Sequence, residues 1–115
     1  MRLRYQGQPV HPHLYEIADL TFALRCETEC GMILLYGIIT ADDEADMPIL
    51  VRLMRPLPAE SLVDEALLEA GSFELGPVPP GDYHLEVLQP DRLLVIGGVT
   101  LPLTPASHLI ELKTT

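Results

Sequence analysis

Residues 71–88, GSFELGPVPPGDYHLEVL, decide the fold. Phe73 and Leu75 alternate with polar neighbours at one end, Tyr83, Leu85 and Val87 alternate at the other, and Gly76, Pro77, Pro79, Pro80 and Gly81 stand between them. A period of two marks a half-buried strand. Proline pre-sets φ and glycine supplies positive φ, so the segment between the two runs reverses the chain. The expected element is an antiparallel β-hairpin. Its Tyr83 ring is expected to be buried, with the hydroxyl on a partner at the sheet edge.

The same alternation recurs along most of the chain. Leu20, Phe22, Leu24 and Cys26 fall on one face of a first core strand, and GMILLYGII, residues 31–39, predicts a central strand buried on both faces. ADDEAD, residues 41–46, predicts a polar loop. Ile49, Val51 and Leu53 share a face of the strand opened by Pro48, where a missing N–H costs little. After a turn at Pro90 and Asp91, residues 92–101 predict a strand with a bulge or bend at Gly97 and Gly98. SHLIELK, residues 107–113, predicts a strand closing a sheet edge. Residues 59–70 instead place Leu62, Val63, Ala66, Leu67 and Ala70 at helical spacing behind a Ser61/Asp64 pair that resembles a capping box, so one short helix is expected near 60–70. A strand there stays open, because tertiary context overrides propensity in short segments.

The fold class expected is all-β: a single antiparallel β-sandwich of about seven strands, immunoglobulin- or prealbumin-like. Residues 1–19, with two prolines in QGQPVHPHLYE, are expected to form an N-terminal arm, and residues 20–115 the sandwich domain. A chain of 115 residues makes one core. Its 48% hydrophobic and 21% charged residues are a globular composition, and its 11 prolines disfavour long helices.

Seventeen acidic against seven basic residues give a net charge of −10. That surface repels phosphate backbones and anionic membranes, so no nucleic acid and no membrane partner is expected. The basic N-terminus lacks the apolar stretch of a secretory signal, which predicts a cytoplasmic protein. Cys26 and Cys30 lie about 13 Å apart on an extended chain, too far for a disulfide, and free thiols are expected.

The segment Gly71-x-Phe73-x-Leu75 followed by Val78-Pro79-Pro80-Gly81-x-Tyr83-x-Leu85-x-Val87 resembles the second half of carboxypeptidase regulatory-like domains, the prealbumin-like β-sandwich modules. Gly37-Ile38-Ile39 and Pro48-Ile49-Leu50-Val51-Arg52-Leu53 are similar to their first half. The resemblance covers about residues 31–103 and departs from the family at Ala70, where an aspartate is common. It implies a non-catalytic structural or binding unit with no catalytic residue to carry over. Small acidic stand-alone versions resemble accessory proteins of bacterial signalling systems.

The function expected is protein–protein interaction or assembly, through a partner protein or self-association at an edge strand or the N-terminal arm. The surfaces singled out are the acidic loop with Asp42, Asp43, Glu44 and Asp46, and the turn with Pro79, Pro80 and Asp82. The acidic loop lacks the spacing of a calcium loop and reads as a solvated face. No cofactor is expected. The alternative is a small metal- or ligand-binding module using His11, His13, Cys26 and Cys30, two imidazoles and two thiols that make a tetrahedral zinc set, although C-x₃-C is not the usual knuckle spacing. His84 and His108 are expected to be solvent-facing or hydrogen-bonded. A small hydrolase comes last, because Ser61, Ser72 and Ser107 lack a nucleophile-elbow context.

Overall fold

The structure, a computed structural model, describes residues 13–56, 58–104 and 109–114. Nine strands run in the order β1 (His13–Ile17), β2 (Leu20–Glu29), β3 (Met32–Ala41), β4 (Leu50–Met54), β5 (Leu62–Leu67), β6 (Ser72–Val78), β7 (Gly81–Leu88), β8 (Leu93–Leu101) and β9 (Ile110–Thr114). They make two antiparallel sheets, β1-β2-β3-β6 and β5-β4-β7-β8-β9. The fold is an all-β sandwich. No α-helix occurs among the described residues, only a 3-10 turn at Glu44–Asp46.

The alternation read in β2, β4 and β7 is what fills the core. Leu20, Phe22 and Leu24 of β2 and Leu35 and Ile39 of β3 are buried with Val51 and Leu53 of β4, Leu85 and Val87 of β7, and Leu94 and Ile96 of β8. Inner faces of two stacked sheets interdigitate in this way while the alternate residues face outward. β3 is central in its sheet but buried on one face only, against expectation. Its outward residues include Ile38, which is 55% exposed. Pairing on both edges does not cover an outer face, and no third layer lies over it among the described residues.

Two hairpins close on residues with positive φ. Cys30 (φ 53°) and Gly31 (φ 79°) form the two-residue link between β2 and β3, where Glu29 pairs with Met32. Positive φ at both central positions gives the strand twist that a tight hairpin needs. Ala70 (φ 53°) and Gly71 (φ 81°) repeat the device between Glu69 and Ser72, whose N–H groups donate to each other's carbonyls at 3.0 Å.

Three expectations are corrected. The 71–88 segment is not a hairpin: β6 pairs with β3 in one sheet, and β7 lies between β4 and β8 in the other. Pro79 and Pro80, which join them, offer no N–H to a ladder, so the chain crosses between sheets there. A bulge prepares the crossing, since Ile33 pairs with Val78 and Leu35 with Leu75, leaving three β6 steps opposite two on β3. Tyr83 is 1% exposed and its hydroxyl donates to the Pro79 carbonyl, which pins the crossing.

The helix expected near 60–70 is strand β5, paired with β4 from Leu50↔Leu67 to Met54↔Leu62. Val63, Ala66 and Leu68 pack against the core, and the Asp64 carboxylate, instead of capping a helix, accepts the Glu65 N–H at 2.9 Å and the Gly76 N–H at 2.8 Å. The stretch taken as an arm also contributes structure, because His13–Ile17 pairs with β2. Those two strands raise the expected seven to nine.

The remaining sheet edges agree with the sequence. β9 closes one edge of the five-stranded sheet, and the β7/β8 register shifts at Gly97 and Gly98: Tyr83 pairs with Val99 while Leu85 pairs with Ile96.

Candidate functional site

The outer face of the four-stranded sheet is built from one cross-strand row. Leu14 pairs with Ala23, Ala23 with Ile38 and Ile38 with Ser72, so an apolar line crosses β1, β2 and β3 and ends at β6. Leu14 is 71% exposed and Ile38 55%. The next row carries Arg25, Tyr36 and Glu74. Arg25 lies over the Tyr36 ring at 4.4 Å and pairs with Glu27 at 2.7 Å. Partial burial, then the Glu27 and Glu74 carboxylates, push the Tyr36 phenol up. The row is locally negative and the phenol stays neutral.

At the β6 end this face meets the edge strand β5, and an open groove of about 990 Å³ lies between them. It is lined by Ala23, Ile38 and Phe73 of one sheet and by Leu50, Ala66 and Leu67 of the other. Leu67 is 67% exposed. Glu65, Glu69 and Glu74 also line it. Apolar walls with a few polar groups at the margin are the general form of a binding cleft, and this volume lies at the upper end of the usual range. The Asp64 bond to Gly76 N–H blocks part of the β6 edge beneath it, so what the corner offers a ligand is side chains as well as backbone.

The sequence-predicted surfaces fall at the two ends of the sandwich and do not join. Asp42, Asp43, Glu44 and Asp46 lie in the loop after Ala41, beside the β1–β2 turn, whereas Pro79, Pro80 and Asp82 lie at the crossing beside Ile33, the opposite end of β3. Asp43 caps the 3-10 turn through the Ala45 N–H at 3.0 Å, and Asp82 accepts the Thr100 hydroxyl at 2.9 Å. The acidic loop is partly a clasp. Arg92 pairs with Asp19 and donates from Nε to Gln89 Oε1 at 2.6 Å, and Gln89 Nε2 donates to the Asp46 carbonyl at 2.7 Å. This ties the β1–β2 turn, the β3–β4 loop and the β7–β8 turn together.

The Asp19 and Asp46 carboxyls shift each other's titration in opposite directions. The hydrogen bond to Asp19 is the main cause that raises the Asp46 carboxyl, with desolvation and the Asp19, Asp43 and Asp91 charges adding to it. For Asp19, desolvation works toward a higher value but is outweighed by its own backbone N–H, by Asp46 and by Arg92, so its carboxyl is lowered.

The proposed zinc ligands are not brought together. His11 lies outside the described residues, as does His108. His13 opens β1 opposite Leu24, Cys26 sits on β2, and Cys30 is in the exposed turn beyond the end of that strand. Burial pushes the Cys26 thiol up, a contact with the Leu103 backbone opposing it. A raised thiol is a poor thiolate ligand or nucleophile at neutral pH. Among the described residues no three His, Cys, Asp or Glu side chains gather closely enough to hold a metal ion. His84 is buried, not solvent-facing, and its Nδ1 has no partner among the described residues.

Sequence reasoning missed Ile38, Leu67, Glu65, Glu69 and Glu74. Ile38 was hidden in an apolar run expected to be buried on both faces, Glu65, Leu67 and Glu69 in an expected helix, and Glu74 in an expected hairpin strand. Length gave no signal for the strand, because the stretch between Pro58 and Gly71 is long enough for a short helix. Compared with protein-family models, curated proteins and solved structures, the chain matches none of them.

Proposed function

We propose that the chain is a non-catalytic β-sandwich module, of the carboxypeptidase regulatory-like, prealbumin-like type, that works by protein–protein interaction or assembly in the cytoplasm. The observation that carries the reading is the β5–β6 groove, where Ile38 and Leu67 are exposed at 55% and 67% and Glu65, Glu69 and Glu74 share the lining. Such a site suits an extended segment that alternates apolar and basic side chains, and the net charge of −10 favours its approach. The described serine on the groove wall is engaged elsewhere, with the Ser72 hydroxyl donating to the Glu69 carbonyl at 2.9 Å. The free Cys26 and Cys30 thiols fit a reducing compartment. The resemblance supports the family assignment through its strand segments, since β6 and β7 occupy the two runs of the motif.

The test is titration of ¹⁵N-labelled protein with a synthetic peptide of alternating lysine and leucine. Saturable amide shifts at Ile38, Leu67 and Glu74 are expected, lost in an Ile38→Lys, Leu67→Lys variant whose thermal midpoint stays within a few degrees of the parent. No saturable change up to about 1 mM peptide, the weak limit of useful recognition, overturns the reading.

A further inference from the structure

An extended segment can join a sandwich by strand addition, in which its backbone pairs with an open sheet edge and main-chain hydrogen bonds supply the affinity. The groove lies between two such edges, β5 of one sheet and β6 of the other. In an antiparallel strand, alternate residues turn their N–H and C=O to opposite sides. The Gly71 carbonyl accepts the Ile39 N–H at 2.7 Å, so Gly71, Phe73 and Leu75 turn toward β3, and Ser72, Glu74 and Gly76 toward the open side. The Leu68 N–H donates to the Ile49 carbonyl at 3.0 Å, so Asp64, Ala66 and Leu68 turn toward β4, and Glu65 and Leu67 toward the open side.

The chain itself takes up most of these open donors. One carboxylate, that of Asp64, accepts the Glu65 N–H with Oδ1 at 2.9 Å and the Gly76 N–H with Oδ2 at 2.8 Å, so it closes a position on both edges at once. Ser72 exchanges both of its backbone bonds with Glu69 at 3.0 Å. Among residues 64–68 and 72–76, that leaves Leu67 and Glu74 with an open-side N–H that has no partner among the described residues. An added strand needs a run of alternate open residues, and neither edge offers one. The side chains are available instead. Ile38 and Leu67 are exposed, and Glu69 and Glu74 make no ion pair among the described residues, whereas Arg25 is taken up by Glu27 and Glu65 stands 3.5 Å from Arg52.

We propose that Asp64 and the Glu69–Ser72 bridge close the groove to strand addition, and that the partner segment is read by its side chains. Apolar side chains of that segment rest on Ile38 and Leu67, and its lysine or arginine side chains lie beside Glu69 and Glu74. The proposal rests on the interaction reading of the same groove and adds how the partner is held there.

Three versions of the lysine–leucine peptide test it on the full-length protein: unmodified, N-methylated at every lysine, and N-methylated at every leucine. Alternate residues of an added strand donate to the sheet edge, so strand addition loses its bonds with one methylated peptide and keeps them with the other. Recognition by side chains is expected to keep the three affinities within about threefold of one another, less than one typical hydrogen bond is worth. A Glu69→Gln, Glu74→Gln protein is expected to bind the unmodified peptide about fivefold more weakly than the parent, as the loss of two exposed ion pairs requires. A larger loss with either methylated peptide overturns the proposal and leaves the interaction reading standing, because the segment is then added as a strand. Equal affinity of the parent and the glutamine variant also overturns it, since Glu69 and Glu74 then hold no cation. An unmodified peptide that binds neither protein overturns the interaction reading and the proposal with it.

Discussion

At Gly37 the core is shaped by a side chain that is absent. A Cβ built there would lie 2.3 Å from the Phe73 ring and 2.9 Å from Leu24 Cδ2, so the ring of the neighbouring strand rests on the glycine backbone. Phe73 pairs with Gly37 across β3 and β6, and its 5% exposure shows the ring filling the space that glycine leaves. Adding one methyl to a packed core forces side chains off their rotamers, at about 1–3 kcal/mol. Gly37→Ala is therefore expected to lower stability by that amount in urea denaturation, and the loss should be smaller when Phe73→Leu is already present. Equal losses in both backgrounds would mean that Phe73 is not what occupies the space. Gly37 was legible in the sequence only as one position within the strand expected over residues 31–39. Its contact with a residue 36 positions away was not, because no local pattern encodes which side chain crosses it.

At the scale of elements, the β6–β7 crossing shows how similar sequence signals give a hairpin or an arch. Both need two alternating runs and a reversal, and both were present. What separates them is whether the linker donates to a ladder, and the Pro79–Pro80 pair does not. The crossing is then held by Tyr83, whose hydroxyl donates to the Pro79 carbonyl. Tyr83→Phe keeps the ring and removes that bond, so a loss of about 1 kcal/mol is expected from thermal or urea unfolding. Tyr83→Ala also removes the buried ring and should cost about 3–5 kcal/mol. If Phe and Ala cost the same, the ring is not packed as the structure has it. Segment 62–67 makes the complementary point. Its residues form helices well, yet Ala66 and Val63 find the core only as a strand beside β4, and burial in a sandwich outweighs propensity differences of less than about 1 kcal/mol per residue.

At the scale of the molecule, the clasp of Asp19, Asp46, Gln89 and Arg92 joins loops from both sheets. It also makes stability depend on pH. A raised folded-state carboxyl such as Asp46 keeps its proton where the unfolded chain, at its ordinary 3.8, has released it. Its contribution is full below that ordinary value and is lost as pH rises through the raised one. Asp19 acts in the opposite sense: lowered from 3.8, it contributes above its unfolded value and loses that contribution as pH falls through the depressed one. Asp46→Asn keeps a donor for Asp19 without a titrating proton. The variant is expected to have a higher thermal midpoint than the parent at about pH 7, with the difference shrinking as pH falls to about 3, where the parent's Asp46 is protonated in both states. A difference that is constant with pH would remove the account of a raised Asp46 carboxyl. The groove belongs to this scale too, since residues of both sheets line it.

By itself the sequence determined the class and much of the core. Period-two burial at Leu20, Phe22 and Leu24, the buried Tyr83, the bulge at Gly97 and Gly98 and the closing strand β9 are local consequences of alternation and of glycine and proline geometry. Tertiary structure alone decided which strands became neighbours, and hence that 71–88 crosses between sheets, that 62–67 is an edge strand, and that Ile38 and Leu67 face one groove. The reason is physical: alternation states that a residue has an inside and an outside, but pairing and the cover over an outer face depend on segments distant in sequence, whose contacts form only when the whole sandwich closes.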